Sequence, residues 1–285
     1  MILNSKYPII CSGMNGVSDL KLALACAKAG ITPSFVPYSH SSFNSFFTDY
    51  SEYRKQTDVI PFVCLGIKEL LHDKLYHNWL PRGIDLVEII ESNNLDNQTK
   101  DMINELRDIG MFISLKILAT NEIEEYIDVI DMVTIKGPEG AGRGDENINL
   151  LDETKRLKRK HPELKIIASG GIKDKNDIKN LIKSGADAVS IGTMFALSEE
   201  SSIPSDVKLK IIKTKSLSRL TKGAMNKGII FDQIETDDFN NTKSNNIGIS
   251  TGKSGHVNMG EAVKYINVIE SVETIVSKLC KEKNE

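Results

Sequence analysis

The sequence lacks a strong charge of either sign, and this excludes whole classes of partner. Its 36 lysines and arginines nearly match its 39 aspartates and glutamates, which gives a formal net charge of −3. Such a chain has no global field that would draw it to nucleic acid or to an anionic membrane, so we expect neither as a partner. It also lacks any run of about 18 apolar residues, the length that a membrane-spanning helix needs.

Cysteine is scarce, and its spacing is uninformative. Cys11, Cys26, Cys64 and Cys280 lack the spacing of a metal site, so we predict buried free thiols and no bound metal. The opening MILNSKYPIICSG has no basic start, long apolar stretch or cleavage site of a secretory signal. These features predict a cytoplasmic protein.

The sequence is rich in short apolar runs that alternate with helical patterns, which is typical of βαβ units. With 285 residues and 40% hydrophobic content, the chain can bury a large α/β core. Helical patterns such as 18–30, 97–110 and 175–185 each end in glycine, a common helix stop. The eight predicted strands are 8–14, 31–38, 59–67, 84–90, 111–118, 132–137, 165–171 and 188–195.

Eight β/α units favour a (β/α)8 TIM barrel, although a doubly wound open sheet could also hold eight strands. We predict a single domain, 1–285, with the eight units in 1–200 and a closing helix in 256–285. Between them, 201–255 combines a basic segment with a polar excursion over the barrel mouth. The aromatic segment 39–56 is expected to form a lid, or a loop with a short helix.

Function in such a barrel collects where the strands end. Small residues follow the seventh and eighth strands, where barrels commonly hold phosphate through backbone N–H groups. Tight turns would explain any one glycine, but small residues after two adjacent strands favour phosphate binding. The predicted phosphate-site residues are Ser169, Gly170, Gly171, Gly192 and Thr193.

Three stretches resemble nitronate monooxygenases, also called 2-nitropropane dioxygenases. PIICSGMNGVSDLKLALACAKAG resembles the opening of that family, and IIASGGIKDKNDIKNLIKSGADAVSIGTMFALSEES resembles its phosphate-binding half. The tail GKSGHVNMGEAVKYINVIESVETIVSKL is similar to the family's closing turn and helix. The resemblance covers most of the chain and implies a TIM barrel that binds FMN and acts as a flavin-dependent oxidoreductase. Flavin-dependent enoyl-acyl-carrier-protein reductases share its fold and motifs.

The loop KGPEGAGRGDE after the sixth strand holds four glycines among eleven residues. It resembles the family loop whose small residues let the backbone lie against the flavin, with lysine in place of the family's first residue, glutamine. The family's catalytic histidine is missing, and Arg143 follows Gly142 directly. The resemblance implies that the flavin ring is contacted by Gly13, Met14, Lys136, Gly140 and Gly142.

The missing base predicts which substrates the chain accepts. Removing a proton from the carbon of a neutral nitroalkane needs a positioned base, whereas a nitronate is already an anion. We therefore predict oxidation of nitronates or a related small anionic substrate, and poor handling of neutral nitroalkanes. Arg143 would favour an anion, unless it is solvated or ion-paired. His256 is the better candidate for a replacement base, with His40 as the other.

Two lysines are candidates for contact with the flavin, Lys116 in the fifth strand and Lys136 at the end of the sixth. A cation near the flavin N1 and C2 oxygen would stabilise the negative charge of the reduced flavin. A lysine inside an apolar strand is costly unless it is paired. Glu88 or Glu91 could be the partner of Lys116 instead of the flavin. The predicted catalytic residues are Lys136, Arg143 and His256.

Other functions remain open from the sequence alone. The phosphate half also resembles inosine monophosphate dehydrogenases and guanosine monophosphate reductases, but no cysteine lies between Cys64 and Cys280 to serve as their nucleophile. A flavin-dependent enoyl-thioester reductase and a flavin-binding barrel without catalytic activity are further alternatives. The basic stretch 208–227 could dock an acidic partner such as an acyl carrier protein, and the excursion 232–255 either covers the site or mediates contact in a homodimer.

Overall fold

The structure, a computed structural model, describes residues 3–66, 82–90, 97–117, 120–221, 224–231, 249–250 and 252–280. Within these ranges, only the backbone is described for residues 120–122, 143–144, 218–221 and 224–226.

Strands of the described chain belong to two sheets, a large parallel one and a small antiparallel one. In chain order they are β1 (Ile9–Cys11), β2 (Ser34–Phe35), β3 (Phe62–Gly66), β4 (Leu86–Ile90), β5 (Phe112–Ile117), β6 (Met132–Lys136), β7 (Gly142–Gly144), β8 (Lys165–Ser169), β9 (Ala188–Ile191), β10 (Ser218–Thr221), β11 (Ala224–Ile230) and β12 (His256–Asn258).

The parallel sheet is a (β/α)8 barrel, as predicted. Its eight strands follow the order β1-β9-β8-β6-β5-β4-β3-β2. The circle closes between Ile10 of β1 and Thr32, which precedes β2: the Cys11 N–H donates to the Thr32 carbonyl at 2.8 Å. Each strand overlaps its predicted segment but is shorter, and the predicted ends at 12–14, 170–171 and 192–195 are loop or helix residues instead.

Helices pack around the barrel. They are α1 (Leu20–Lys28), α2 (Phe43–Gln56), α3 (Asn97–Asp108), α4 (Leu150–Lys160), α5 (Lys175–Lys183), α6 (Thr193–Ala196), α7 (Ser205–Thr214) and α8 (Val272–Cys280). The predicted stops at Gly30, Gly110 and Gly185 are real, with left-handed φ angles of 84°, 90° and 105°. Among the described residues, no helix is both long and apolar enough to cross a membrane.

Segment 39–56, predicted as a lid or loop with a short helix, contains a helix that is longer than predicted. Most of it forms α2, whose Ser42 side chain accepts from the Ser45 N–H at the helix start. Its aromatic residues recur with helical spacing, so they form one face that packs on the barrel. The buried residues of this face are Phe46, Phe47, Tyr50 and Tyr53.

Inside the barrel, inward-facing side chains form two layers. The lower one, the apolar layer, includes Ile10, Phe62, Leu86, Met132, Ile167 and Ala188. Because side chains alternate along a strand, the next inward residues lie two positions later. These form the polar layer of Ser12, Cys64, Glu88, Thr134, Ser169 and Ser190. The barrel therefore turns from apolar to polar toward the C-terminal ends of its strands.

The small sheet links the end of the chain to the loop after β6. Strand β11 pairs antiparallel with β10, with β12 and with β7, where Gly142 faces Lys227. Most of the predicted excursion, 232–248, lies outside the described residues. The closing segment contains a 3-10 turn at Glu261–Tyr265 and then α8, so its α-helix is shorter than the pattern suggested.

The cysteines and the basic stretch have mostly internal roles. Cys11, Cys26 and Cys64 are buried, as predicted, and Cys280 is partly buried. In the stretch 208–227, the buried Lys208 ammonium donates to the Ser198 and Ser201 carbonyls at 2.6 and 3.0 Å. Lys227 forms an ion pair with Glu261 at 2.9 Å. Part of this positive charge therefore satisfies groups of the chain itself.

Candidate active site

A cavity of about 300 Å³ lies at the C-terminal ends of the barrel strands. It is bordered by the loops after β1, β6, β8 and β9 and by the segment that follows β12. The cavity brings together eleven of the predicted site residues: Gly13, Met14, Lys116, Lys136, Gly140, Gly142, Ser169, Gly170, Gly171, Gly192 and Thr193.

Main chain packs against main chain on one side of this cavity. The Gly137 N–H donates to the Ser169 carbonyl at 2.8 Å, and a Cβ placed on Gly170 would lie 3.0 Å from the Gly137 oxygen. Gly170 also has a φ of 109°, which side chains disfavour. The loop after β6 and the loop after β8 are thus in direct backbone contact, and only glycine fits at this position.

Gly260 clamps the same loop from the other side. A Cβ on Gly260 would lie 2.7 Å from the Glu139 carbonyl oxygen and 2.9 Å from the Ala141 nitrogen. The next residue, Glu261, donates its N–H to that Glu139 carbonyl at 2.8 Å. The loop after β6 therefore lies between two other segments of backbone, and the glycine in each of those segments is required by this contact without any ligand.

Gly13 and Gly192 differ in what surrounds them. A Cβ on Gly13 would lie 2.5 Å from the Cys64 sulfur, so packing within the barrel requires this glycine. A Cβ on Gly192 would meet its nearest atoms, Met14 Sδ and Ser12 Cβ, at 3.5 and 3.6 Å, which is ordinary contact. Gly192 has an ordinary φ of −106°. The fold does not require this glycine, and its missing side chain leaves room in the cavity.

Thr193 connects the loop after β9 to the segment after β12. Its hydroxyl oxygen accepts from the Gly260 N–H at 3.0 Å in a buried position. A hydroxyl that accepts one hydrogen bond still has a proton to donate. Thr193 thus ties two borders of the cavity together and keeps the capacity to donate to a bound group.

One member of a buried ion pair, Lys116, lines the cavity. Lys116 Nζ lies 3.1 Å from Glu88 Oε2, with side chains 9% and 6% exposed. Thr134 donates to the other carboxylate oxygen at 2.8 Å. Burial alone would lower the pKa of Lys116, but the adjacent Glu88 carboxylate raises it above its usual value, so the amine is protonated. Of the two proposed partners, the structure selects Glu88, and Glu91 lies outside the described residues.

The ion pair continues into the polar layer. Lys116 Nζ donates to Ser12 Oγ at 3.4 Å, and that hydroxyl lies 2.9 Å from Ser190 Oγ. On the other side, the Cys64 thiol donates to Glu88 Oε2 at 3.4 Å. Burial, together with the charge of Glu88, raises the pKa of the Cys64 thiol well above its usual range, so it is not a nucleophile.

Arg143 and His256, the other two predicted catalytic residues, are not among the described residues that line the cavity. The backbone of Arg143 lies in β7 and pairs with Asn226 of β11, and its side chain lies outside the description. His256 is 2% exposed in β12 and is absent from the described residues that line the cavity. Burial lowers the pKa of His256, so its ring is neutral at neutral pH.

His40 is likewise away from the described cavity lining. Its ring packs against Phe35 and Phe46, and Nε2 lies 3.2 Å from Asp49 Oδ2. Its side chain is 6% exposed. The described lining contains neither of the histidines proposed as a base.

Several lining residues were not identified from the sequence. Ser12 and Ser190 face inward two positions after apolar inward residues, and a polar residue at that position was the available signal. The segment after β11 gave only the resemblance of its tail to the family's closing turn, because its position depends on strand pairing far along the chain. The missed lining residues in that part are Ile249, Val257, Asn258, Met259, Gly260 and Ala262.

Comparison with known proteins identifies the family. The sequence profile described as "Nitronate monooxygenase" matches residues 84–246, more than half of the chain. The chain therefore belongs to the nitronate monooxygenase family, and it is a flavin-dependent oxidoreductase.

Individual relatives are distant. A Saccharomyces cerevisiae protein described as "Putative nitronate monooxygenase" is 25% identical, and the alignment covers 70% of this chain and 67% of that protein. FabK from Thermotoga maritima superposes with a TM-score of 0.83 at 21% identity, over 98% of this chain and 93% of its own. Nitroalkane oxidase from Streptomyces ansochromogenes gives a TM-score of 0.73 at 17% identity, over 96% of both chains. At these identities, the structural likeness supports the fold.

Proposed function

We propose that this chain is an FMN-dependent oxidoreductase that oxidises nitronates or a related small anionic substrate. The observation that carries the proposal is the charge of the cavity. Among the described residues that line it, only Lys136 and Lys116, whose charge is partly offset by Glu88 behind the wall, are charged, and none is a histidine, aspartate or glutamate. The cavity is suited to bind an anion and has no described side chain suited to remove a proton from carbon.

The lining fits a flavin mononucleotide. Backbone near Gly170, Gly171, Gly192 and Thr193 offers N–H and O–H donors of the kind that hold a phosphate group at the end of a barrel. Gly192 supports this assignment because no protein atom excludes a side chain there. When bound, the flavin would supply the electron-transfer chemistry that side chains lack.

The two lysines have complementary roles in this proposal. Lys116 is held within the wall by Glu88 and would place a cation beside the bound ring. Lys136 lies at the end of β6, next to Gly140, where it would attract the negative charge of a nitronate. Since a nitronate arrives deprotonated, the reaction does not depend on a base at the position of Arg143.

The experiment that tests this proposal begins with the absorption spectrum of the purified protein. Two flavin bands, with FMN released on heating, are expected. Under anaerobic conditions an alkyl nitronate should bleach those bands, and the matching neutral nitroalkane should do so at least about 100-fold more slowly, the usual contribution of a general base. Equal rates would contradict the absence of a base, and a colourless protein that takes up no FMN would overturn the cofactor assignment.

The alternative functions give different results in the same assay. Bleaching by reduced nicotinamide followed by reoxidation with an enoyl thioester would indicate a reductase. A flavin that no donor reduces would indicate a binding protein without catalysis. The covalent chemistry of the purine nucleotide enzymes has no support, because the loop after β6 holds no cysteine and the Cys64 thiol is buried against Glu88.

A further inference from the structure

Glu88 is a buried carboxylate that the proposed reaction does not use directly. It is 5% exposed and accepts three hydrogen bonds, from Lys116 at 3.1 Å, Thr134 at 2.8 Å and Cys64 at 3.4 Å. Burying a charge is costly unless it is paired and hydrogen-bonded, and Glu88 meets both conditions.

The stability of the barrel does not explain why this pair is present. Buried ion pairs are often no more stabilising than apolar residues of similar volume. The apolar layer directly below shows that this barrel packs with hydrophobic side chains at equivalent positions. A function for the pair is therefore to be sought at the cavity that Lys116 lines.

We propose that Glu88 is a positioning residue that fixes the Lys116 ammonium in the cavity wall and, by offsetting its charge, lowers the reduction potential of the flavin bound there. Glu88 faces Ser114 in the register of β4 and β5, two residues before Lys116 on β5. From this position its carboxylate draws Nζ toward the barrel interior. This inference rests on the proposed function, because it requires flavin in the cavity.

The expected direction follows from charge alone. Reduction adds negative charge to the flavin, so a lone cation in the wall would favour the reduced form. The carboxylate of Glu88 cancels part of that effect, because its opposite charge lies beside the same ammonium. At a pH low enough to keep Lys116 protonated without its partner, a neutral amide in place of the carboxylate would keep the shape but leave the charge of Lys116 uncompensated.

The test is a redox titration of the flavin-loaded protein, followed by its absorption spectrum against a reference dye. In Glu88→Gln, the equilibrium should shift roughly tenfold toward reduced flavin, which is about 30 mV for a two-electron couple. Glu88→Asp, which retains the charge, should restore most of the wild-type potential. The double variant Glu88→Gln with Lys116→Gln should return close to the wild-type value, because both charges are then absent.

Thr134→Val is the matched control, since it removes a contact to Glu88 without changing the charge of the pair. Its potential should stay close to that of the wild type. Denaturation curves and flavin content of every variant show whether it is folded and loaded. If Glu88→Gln does not fold, Lys116→Gln tests the opposite change. The reduction potential of its flavin should fall, because the cation is removed and the carboxylate stays.

Two results would overturn the inference. One is a flavin-loaded Glu88→Gln protein with an unchanged or lower potential, and the other is an equal shift in Thr134→Val. If the wild-type protein holds no flavin, the proposed function fails instead, so the two failures are distinguishable.

Discussion

Gly260 and Gly192 border the same cavity, but for different physical reasons. A Cβ on Gly260 would lie 2.7 Å from a backbone oxygen. A Cβ on Gly192 would have Met14 Sδ as its nearest atom, at 3.5 Å, which is ordinary contact. Gly260 is required by the fold, whereas Gly192 is not, and we assign Gly192 to the proposed cofactor site. Glycine content in a loop therefore does not by itself indicate a ligand, and each position has to be assessed by what a side chain would meet.

The largest expected effect is the loss of stability on substitution of Gly260, the glycine that the fold requires. Gly260→Ala should lower the free energy of unfolding by about 3 kcal/mol. The new methyl group would meet the backbone of the loop after β6, which cannot move aside without losing its contact with the segment after β12. Chemical denaturation measures the loss. Gly110→Ala is the control: Gly110 has a φ of 90° but nothing within 4 Å, so only the conformational cost of about 1 kcal/mol applies. A smaller loss for Gly260→Ala than for Gly110→Ala would contradict the clamp.

The next effect is on the site side. Gly192→Ala should weaken FMN binding at least tenfold, about 1.4 kcal/mol, because the methyl group occupies space beside Met14 and Ser12. Its unfolding free energy in the absence of flavin should change by less than about 1 kcal/mol. Titration of the apoprotein with FMN measures the affinity, and Gly110→Ala should bind as the wild type does. Unchanged affinity in Gly192→Ala would remove this residue from the cofactor site.

The smallest effect concerns His256, which is buried in β12 and is absent from the described lining of the cavity, so we group it with the residues that serve the fold. Burial depresses its folded pKa, so below the ordinary value of 6.5 the unfolded state takes up the proton first. Stability from this residue is complete above pH 6.5 and is lost as the pH falls from there toward the folded pKa. The slope for one proton is at most about 1.4 kcal/mol per pH unit.

Unfolding curves between pH 5 and 7, compared with those of His256→Gln, isolate this contribution, because the other histidines titrate in both proteins. The difference in unfolding free energy between the wild type and His256→Gln should narrow as the pH falls, because only the wild type loses the contribution of His256. If the wild type showed a bell-shaped pH profile of nitronate turnover and His256→Gln lost both the turnover and that pH dependence, His256 would instead be assigned to catalysis.

The barrel and the grouping of the candidate site residues around one cavity could be predicted from the sequence, because both depend on local signals. Each strand is an apolar run followed by small residues, and strand ends in a barrel meet at one edge. This logic places Gly13, Lys116 and Thr193 around one cavity although they are far apart in the chain. The polar layer had a local signal too, since Glu88 follows the inward-facing Leu86 by two residues.

The rest depended on contacts that no local pattern records. The position of Gly260 depends on the pairing of β11 with both β7 and β12, strands that are distant in sequence. The burial of His256 follows from the same pairing. The length of the helix in segment 39–56 was missed for another reason: its aromatic residues have helical spacing, but their unusual density was interpreted as a lid or loop with only a short helix.

The contact between loop backbones has a consequence for how this protein can change during evolution. A cavity border made of peptide groups keeps its shape whatever side chains the loops carry on their outer face, so binding of a common cofactor tolerates extensive sequence drift. Selectivity must then be altered at the few lining positions that carry large apolar side chains, such as Ile90, Val257 and Met259. Directed evolution for a new substrate would find its useful diversity at those positions and little of it in the glycine loops.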